Sequence, residues 1–319
     1  FIIKLTIYFM AKSNTYKAGR HFLQVPGPTN FPDRILRAMD RPAMDHRGPQ
    51  FAELSKRILD RIKLIFKSTD PVIIWPSSGT GAMEASIVNT LSEGDKVLMF
   101  ETGHFATEWC QAARRYKVNV DFVPGDWRHG ADPKIVEEKL LADKKHEIKA
   151  VMVTHNETST GIMSRVEEVR KAIDSAKHPA LFMVDTISSL GSYNYDHQKW
   201  KVDVSVGGSQ KGLMLPPGLS FNVVSKKALE ASKSSKLPKS YWQWEQMLEN
   251  NKNGFYPYTP AVNIMFGLNE AINMLLEEGL ENVFLRHARP VSYTHLRAHE
   301  TLRYLVCRGE VGKKRGGGG

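Results

Sequence analysis

Leu181-Phe-Met-Val-Asp-Thr186 and Val206-Gly-Gly-Ser-Gln-Lys-Gly212 are the stretches on which the fold turns. The first is an apolar run that ends at Asp185, and the second follows another, Val202 to Val206, with a Gly/Ser turn bearing Lys211. Bounded runs of this kind read as buried strands. Working outward, further strands are predicted at 72–75, 95–100, 118–123, 150–154 and 219–224. Between them the apolar spacing turns helical, as at Phe51, Leu54, Ile58, Ile62 and Ile65 within 50–68. Helices are also predicted over 80–91, through Trp109 and Tyr116, over 135–141 and over 166–176. Strands alternating with helices predict a layered α/β fold with a mostly parallel sheet. Such sheets bind ligands at the carboxyl ends of their strands, which is where the polar residues fall.

The chain has 319 residues, 41% of them apolar and 24% charged, a soluble globular balance able to bury a large core. Its two cysteines, Cys110 and Cys307, offer no disulfide framework and point to a reducing compartment. No targeting signal is visible, so a cytoplasmic location is the default expectation. Phe1-Ile-Ile-Lys-Leu-Thr-Ile-Tyr-Phe9 is too short to span a bilayer and no small-residue cleavage site follows it. Residues 1–9 read as translated upstream sequence, with Met10 as the start. At the other end, Val291-Ser-Tyr-Thr-His-Leu-Arg-Ala-His-Glu-Thr301 resembles a translated transposase adapter from a sequencing library. Leu305-Val-Cys-Arg308 matches the flow-cell end of the same adapter in frame and order, so 290–319 reads as an artefact.

That reading removes several inferences. The formal charge of +10 falls to +6 without 290–319, and to +5 without Lys4. No basic run interleaved with aromatics remains, so nucleic acid is not expected as a partner, and neither is a membrane. His295 and His299 are set aside as zinc ligands, and no metal site is expected. Residues 10–32 form an extended arm stiffened by Pro26, Pro28 and Pro32. Residues 33–270 form the large domain, and 271–289 begin a helix.

Five stretches at predicted strand ends, and a sixth at 255–260, carry chemistry. Asp185 can hold a pyridine nitrogen protonated while Lys211 forms a Schiff base, the pairing pyridoxal phosphate requires. Pro76-Ser-Ser-Gly-Thr-Gly-Ala82 follows a strand and opens a helix; its glycines, free N–H groups and the Ser78 and Thr80 hydroxyls suit a phosphate. It is neither G-x-G-x-x-G nor a Walker loop, which counts against NAD and ATP. In His155-Asn-Glu-Thr-Ser-Thr-Gly161, the Thr158 hydroxyl can bond a ring oxygen. Phe105, after Thr102-Gly-His104, can stack on a ring face, whereas His104 is given no proton-transfer role. Tyr256 and Thr259, in Phe255-Tyr-Pro-Tyr-Thr-Pro260, can reach a phosphate held by a neighbouring subunit.

At these residues the chain resembles the class V aminotransferases of the pyridoxal-phosphate fold type I superfamily. The resemblance runs from about Gly19 to Arg289. It includes Val25-Pro-Gly-Pro28, Ser78-Gly-Thr-Gly81, His155-Asn-Glu-Thr158, His178-Pro-Ala180, Gly208-Ser-Gln-Lys211, Tyr258-Thr-Pro260 and Glu278-Gly-Leu-Glu-Asn282. It implies a three-layer α/β/α large domain with a mostly parallel mixed sheet, pyridoxal 5′-phosphate as cofactor, and a homodimer with shared active sites. By motif, Lys211 is implied as the Schiff-base lysine and Asp185 as partner of the pyridine nitrogen. Ser78, Gly79, Thr80 and Gln210 would hold the phosphate, joined by Tyr256 and Thr259 of a second subunit. Phe105 would stack on the ring, Thr158 would bond its hydroxyl, and Pro26 and Gly27 would line the substrate mouth. The implied substrates are amino acids and 2-oxo acids, with serine or alanine as donor and glyoxylate as acceptor.

Members of the family continue into a smaller C-terminal domain that supplies an arginine for the substrate carboxylate. No residue here takes that role, so a chain ending as this one does is expected to bind cofactor poorly and turn over little. A peroxisomal address, seen in some relatives, would be lost with that end. The rival readings are a phosphonate transaminase or another class V enzyme, and a non-catalytic fragment of the same fold. A desulfurase would need a cysteine on a mobile loop, and Cys110 falls in a predicted helix.

Overall fold

The computed structural model describes Leu23 and residues 25–289. The upstream segment 1–9, the arm through Phe22, Gln24 and the adapter-like stretch 290–319 lie outside the described residues. The chain runs α1 (Asp33–Met39), α2 (Pro49–Phe66), β1 (Val72–Trp75), α3 (Gly79–Thr90), β2 (Lys96–Phe100), α4 (His104–Arg115), β3 (Asn119–Val123) and α5 (Pro133–Ala142). It continues through β4 (Ile148–Thr154), α6 (Val166–Ser175), β5 (Leu181–Asp185), β6 (Val204–Gly208), β7 (Ser220–Val224), α7 (Lys226–Ser234), α8 (Trp244–Asn251) and α9 (Val262–Glu278). Residues 280–289 are also helical. No helix among the described residues is long and apolar enough to cross a membrane.

The strands form one seven-stranded sheet in the order β1-β7-β6-β5-β4-β2-β3. Pairing is parallel from β6 through β5, β4 and β2 to β3. β7 runs antiparallel to both of its neighbours, β6 and β1. Every residue of β1, β5, β6 and β7 is buried, which requires cover on both faces of the sheet. On α2 the predicted stripe is the buried one: Phe51, Leu54, Ile58, Ile62 and Ile65 are at most 4% exposed. Its last turn ends at Lys67 in the left-handed conformation, whose N–H bonds back to Leu64 and Lys63.

The predicted strands all occur, with ends shifted by a residue or two. The reversal of β7 was not legible: residues 209–219 fall short of the roughly dozen residues a parallel crossover needs, so the chain doubles back beside β6. Helices α1, α7 and α8 were not anticipated. In α7 only Ala228 is buried, so its pattern is nearly all polar; it starts because Ser225 caps the Ala228 N–H at 3.1 Å. The helix expected from residue 271 begins earlier, at Val262, and ends where Gly279 takes a positive φ. It packs along α1 and α2.

Asn222, fully buried on β7, joins three elements. Its Oδ1 accepts from the Trp75 indole at 2.9 Å and its Nδ2 donates to the Ala82 carbonyl on α3 at 3.1 Å. Asn222→Leu leaves that indole N–H buried and unpaired. It is expected to lower stability by about 1–3 kcal/mol, read as a lower urea midpoint at unchanged m-value.

Candidate active site

The reversal between β6 and β7 sets the position of Lys211. Ser209 closes the loop: its N–H donates to the Leu219 carbonyl at 2.9 Å, and its hydroxyl donates to Pro216 O at 2.7 Å and accepts from Leu219 N–H at 3.2 Å. Within the loop Met214 N–H bonds Lys211 O at 2.9 Å, a tight turn that throws the lysine outward. Gly212 passes so close to the Leu190 carbonyl that a Cβ there would overlap it. The arm lies across the loop, with Thr29 N–H on Gln210 O at 3.0 Å and the Lys211 ammonium donating to Pro26 O at 2.6 Å. Gly27, at φ +134°, runs against the lysine side chain, and a Cβ there would overlap Nζ.

Asp185 ends β5, pinned through its backbone by His155 N–H on its carbonyl at 2.9 Å. The side chain is 3% exposed and accepts from Ile187 N–H at 2.8 Å. Burial pushes its carboxyl up to about 7, helped by the nearby Glu157 charge and opposed by the Ile187 bond and by Lys211. Burial in turn lowers the Lys211 ammonium, while Asp185 works the other way. His155, held at 2.9 Å from Ser189 Oγ, is pushed by burial down to about 4 and stays neutral.

The first turn of α3 faces the same space. Ser78 stands at its N-cap without a side-chain bond to the helix, and Gly79 packs against Ile187 so closely that a Cβ would overlap it. The Gln210 side-chain oxygen is buried with no hydrogen-bond partner among the described residues. Phe105, in the first turn of α4, supplies an apolar wall. These groups converge on a cavity of about 220 Å³ that Gly27, Ser78, Gly79, Thr80, Phe105, Thr158, Asp185, Gln210 and Lys211 all line. Gly27, Thr158 and Lys211 also border a second cavity of about 450 Å³, where Pro26, Asn156, Ser188 and Ser192 form much of the wall.

Two sequence candidates lie elsewhere in the chain. Neither Tyr256 nor Thr259 lines either cavity. Tyr256 is 5% exposed, packs edge-on against Phe51 at 6.0 Å, and its hydroxyl lies near that of Ser55, with no hydrogen bond to either among the described residues. Thr259 is exposed. Sequence reasoning missed Ile187 and Met83 in the cavity wall, and it passed over Glu157, a fully buried carboxylate behind Phe105. The signal for Glu157 was Gly103: a helix opened by glycine has no side chain of its own to cap it.

A lysine and a buried carboxylate facing a helix N-terminus across one cavity, on this strand order, define a class. The chain belongs to the class-V aminotransferase family, whose family model matches residues 21–312. A serine–glyoxylate aminotransferase of Methylorubrum extorquens is 48% identical over 280 residues, covering 86% of this chain and 70% of that protein. An L-aspartate–glyoxylate aminotransferase of Paracoccus denitrificans is 45% identical over 269 residues, 84% of this chain and 68% of its own. The solved structure of an alanine–glyoxylate aminotransferase from Nostoc sp. superposes with a TM-score of 0.81 at 29% identity, covering 90% of this chain and 76% of that one.

Membership implies pyridoxal phosphate, and the residues present fit it. The open first turn of α3, with the Ser78 side chain making no bond to the helix, suits an anion. Asp185, buried at the cavity wall, suits a cationic ring nitrogen. In cofactor-free protein the raised Asp185 carboxyl has a consequence for stability. Its folded value of about 7 lies above the ordinary 3.8, so the contribution is complete below pH 3.8 and is lost as pH rises through 7. Asp185→Asn removes that titration. Relative to the variant, the parent is expected to lose on the order of 1 kcal/mol per pH unit on going from pH ~5 to pH ~7, read from urea midpoints. A gap between the two that does not change with pH contradicts the raised carboxyl.

Proposed function

We propose that this protein transfers the amino group of serine to glyoxylate, giving glycine and a 2-oxo acid, with pyridoxal phosphate held in the cavity between β5, the Lys211 loop and α3. The observation that carries the reading is the convergence of Asp185, Lys211 and the first turn of α3 on one cavity. The serine–glyoxylate relative supports serine as donor. When bound, the cofactor supplies an electron sink that acidifies the donor's α-C–H.

The chain's residues do the rest. Ser78, Gly79, Thr80 and the Gln210 amide bind the phosphate with hydroxyl and N–H donors. Asp185 holds the proton on the ring nitrogen; a cation against its carboxylate draws that carboxyl back toward its ionised form. Phe105 stacks on one ring face and Thr158 donates to the ring oxygen. Lys211, with its ammonium already lowered by burial, is the base that takes the donor's α-proton and returns it in the next step. Pro26 and Gly27 close the mouth, and the Asn156, Ser188 and Ser192 oxygens give the outer wall a polar character suited to a hydroxylated donor.

A homodimer supplies Tyr256 and Thr259 to the partner's phosphate. Its support is the Tyr256 hydroxyl, which makes no hydrogen bond among the described residues. Borohydride treatment with cofactor is expected to leave a pyridoxyl mass on the peptide containing Lys211, and Lys211→Ala is expected to abolish it. A single turnover on adding L-serine, reversed by glyoxylate, checks the donor; reaction with L-aspartate alone would move the assignment to that donor. Without the lysine the proton-transfer rate is expected to fall about 10²–10⁴-fold. Tyr256→Phe is expected to leave the melting temperature of cofactor-free protein unchanged. It should weaken cofactor binding by roughly tenfold to a hundredfold, as loss of one hydrogen bond to an anion does.

A further inference from the structure

We infer that Glu157 is a positioning residue that sets Phe105 and Thr158 on the cofactor cavity by capping α4 from a different part of the chain. The inference rests on the reading of Phe105 as the ring-stacking side chain.

Helix α4 opens at Gly103, which has no side chain with which to cap it. Its first amides are met instead by the loop after β4. His104 N–H donates to Ser159 Oγ at 3.0 Å, Phe105 N–H to Glu157 Oε1 at 3.2 Å, and Ala106 N–H to Glu157 Oε2 at 3.0 Å. Ser159 completes the set, donating to Oε1 from its N–H at 3.1 Å and from its hydroxyl at 2.8 Å. The carboxylate thus faces four donors, and Ser159 Oγ relays between it and His104.

Glu157 is fully buried, a position in which a carboxylate has to be compensated. Compensation comes from backbone N–H groups and the positive end of the α4 dipole. The loop beneath it is equally fixed: Glu157 N–H bonds Ile162 O at 2.9 Å, and Gly161 N–H bonds Glu157 O at 2.7 Å. A Cβ on Gly103 would overlap Glu157 Cγ, so the carboxylate is seated directly on the backbone that leads into Phe105. Thr158 is the next residue in the chain and lines the same cavity as Phe105. One side chain therefore holds two walls of the site in register. It also places a second negative charge near Asp185, one of the causes of that carboxyl's raised value.

Glutamine is isosteric with glutamate but carries one acceptor oxygen and one NH2, and the NH2 would point at N–H donors. Glu157→Gln therefore breaks half of the cap without opening a cavity. The test is a double-mutant cycle on cofactor affinity, titrating cofactor-free protein with pyridoxal phosphate and following quenching of tryptophan emission. Glu157→Gln and Phe105→Ala are each expected to weaken binding about tenfold, and the double variant well short of about a hundredfold, because the part of the Glu157 loss that runs through Phe105 counts only once. Amide exchange at residues 104–106 of the cofactor-free Glu157→Gln protein is expected to accelerate. Losses that multiply, or a Glu157→Gln protein that binds cofactor as the parent does, overturn the inference. If Phe105→Ala alone leaves affinity unchanged, the stacking assignment fails, and the inference with it. Should Glu157→Gln not fold, Ser159→Ala enters the same cycle, with a loss of about threefold and the same non-additivity expected.

Discussion

The short return from β6 to β7 is the constraint on which the site depends. A chain leaving a strand buried on both faces can continue only by crossing over or by doubling back, and residues 209–219 allow only the second. The reversal presses a tight turn against the carboxyl edge of the sheet, beside the end of β5. Ser209 fastens both ends of that turn through backbone and hydroxyl, so Lys211 is presented by a closed loop rather than a free one. The arm then settles across it, and the cavity is what remains between turn, arm and α3.

Two buried carboxylates border that cavity, and the fold treats them differently. Glu157 is saturated with donors. Among the described residues Asp185 receives a single backbone N–H, and burial leaves it raised toward neutrality. The first arrangement is that of a structural anion, finished when the chain folds. The second is that of a group kept short of partners, which a cationic ligand can complete.

Most of the sheet could be read from the sequence because its strands are continuous apolar runs ending at polar residues, and burial on both faces permits no other pattern. The lining of the cavity was legible for the same reason: Asp185 ends β5, Thr158 and Lys211 follow β4 and β6, and Ser78 to Thr80 follow β1. What escaped were features with no local pattern. The direction of β7 is set by loop length, the start of α9 is blurred because Met265, Phe266, Leu268 and Ala271 bury nearly all sides of its first turns, and α7 buries a single residue. Glu157 was quoted within its motif yet passed over, since its partners lie on another helix and only the bare Gly103 pointed to them.

Gly27 limits where this scaffold can vary. Its backbone lies on the Lys211 amine, so any side chain at that position would displace that amine. Position 27 is therefore closed to tuning, whatever amino donor is used. Diversification toward another donor has room on the opposite wall, at Asn156, Ser188 and Ser192, where side chains border open volume.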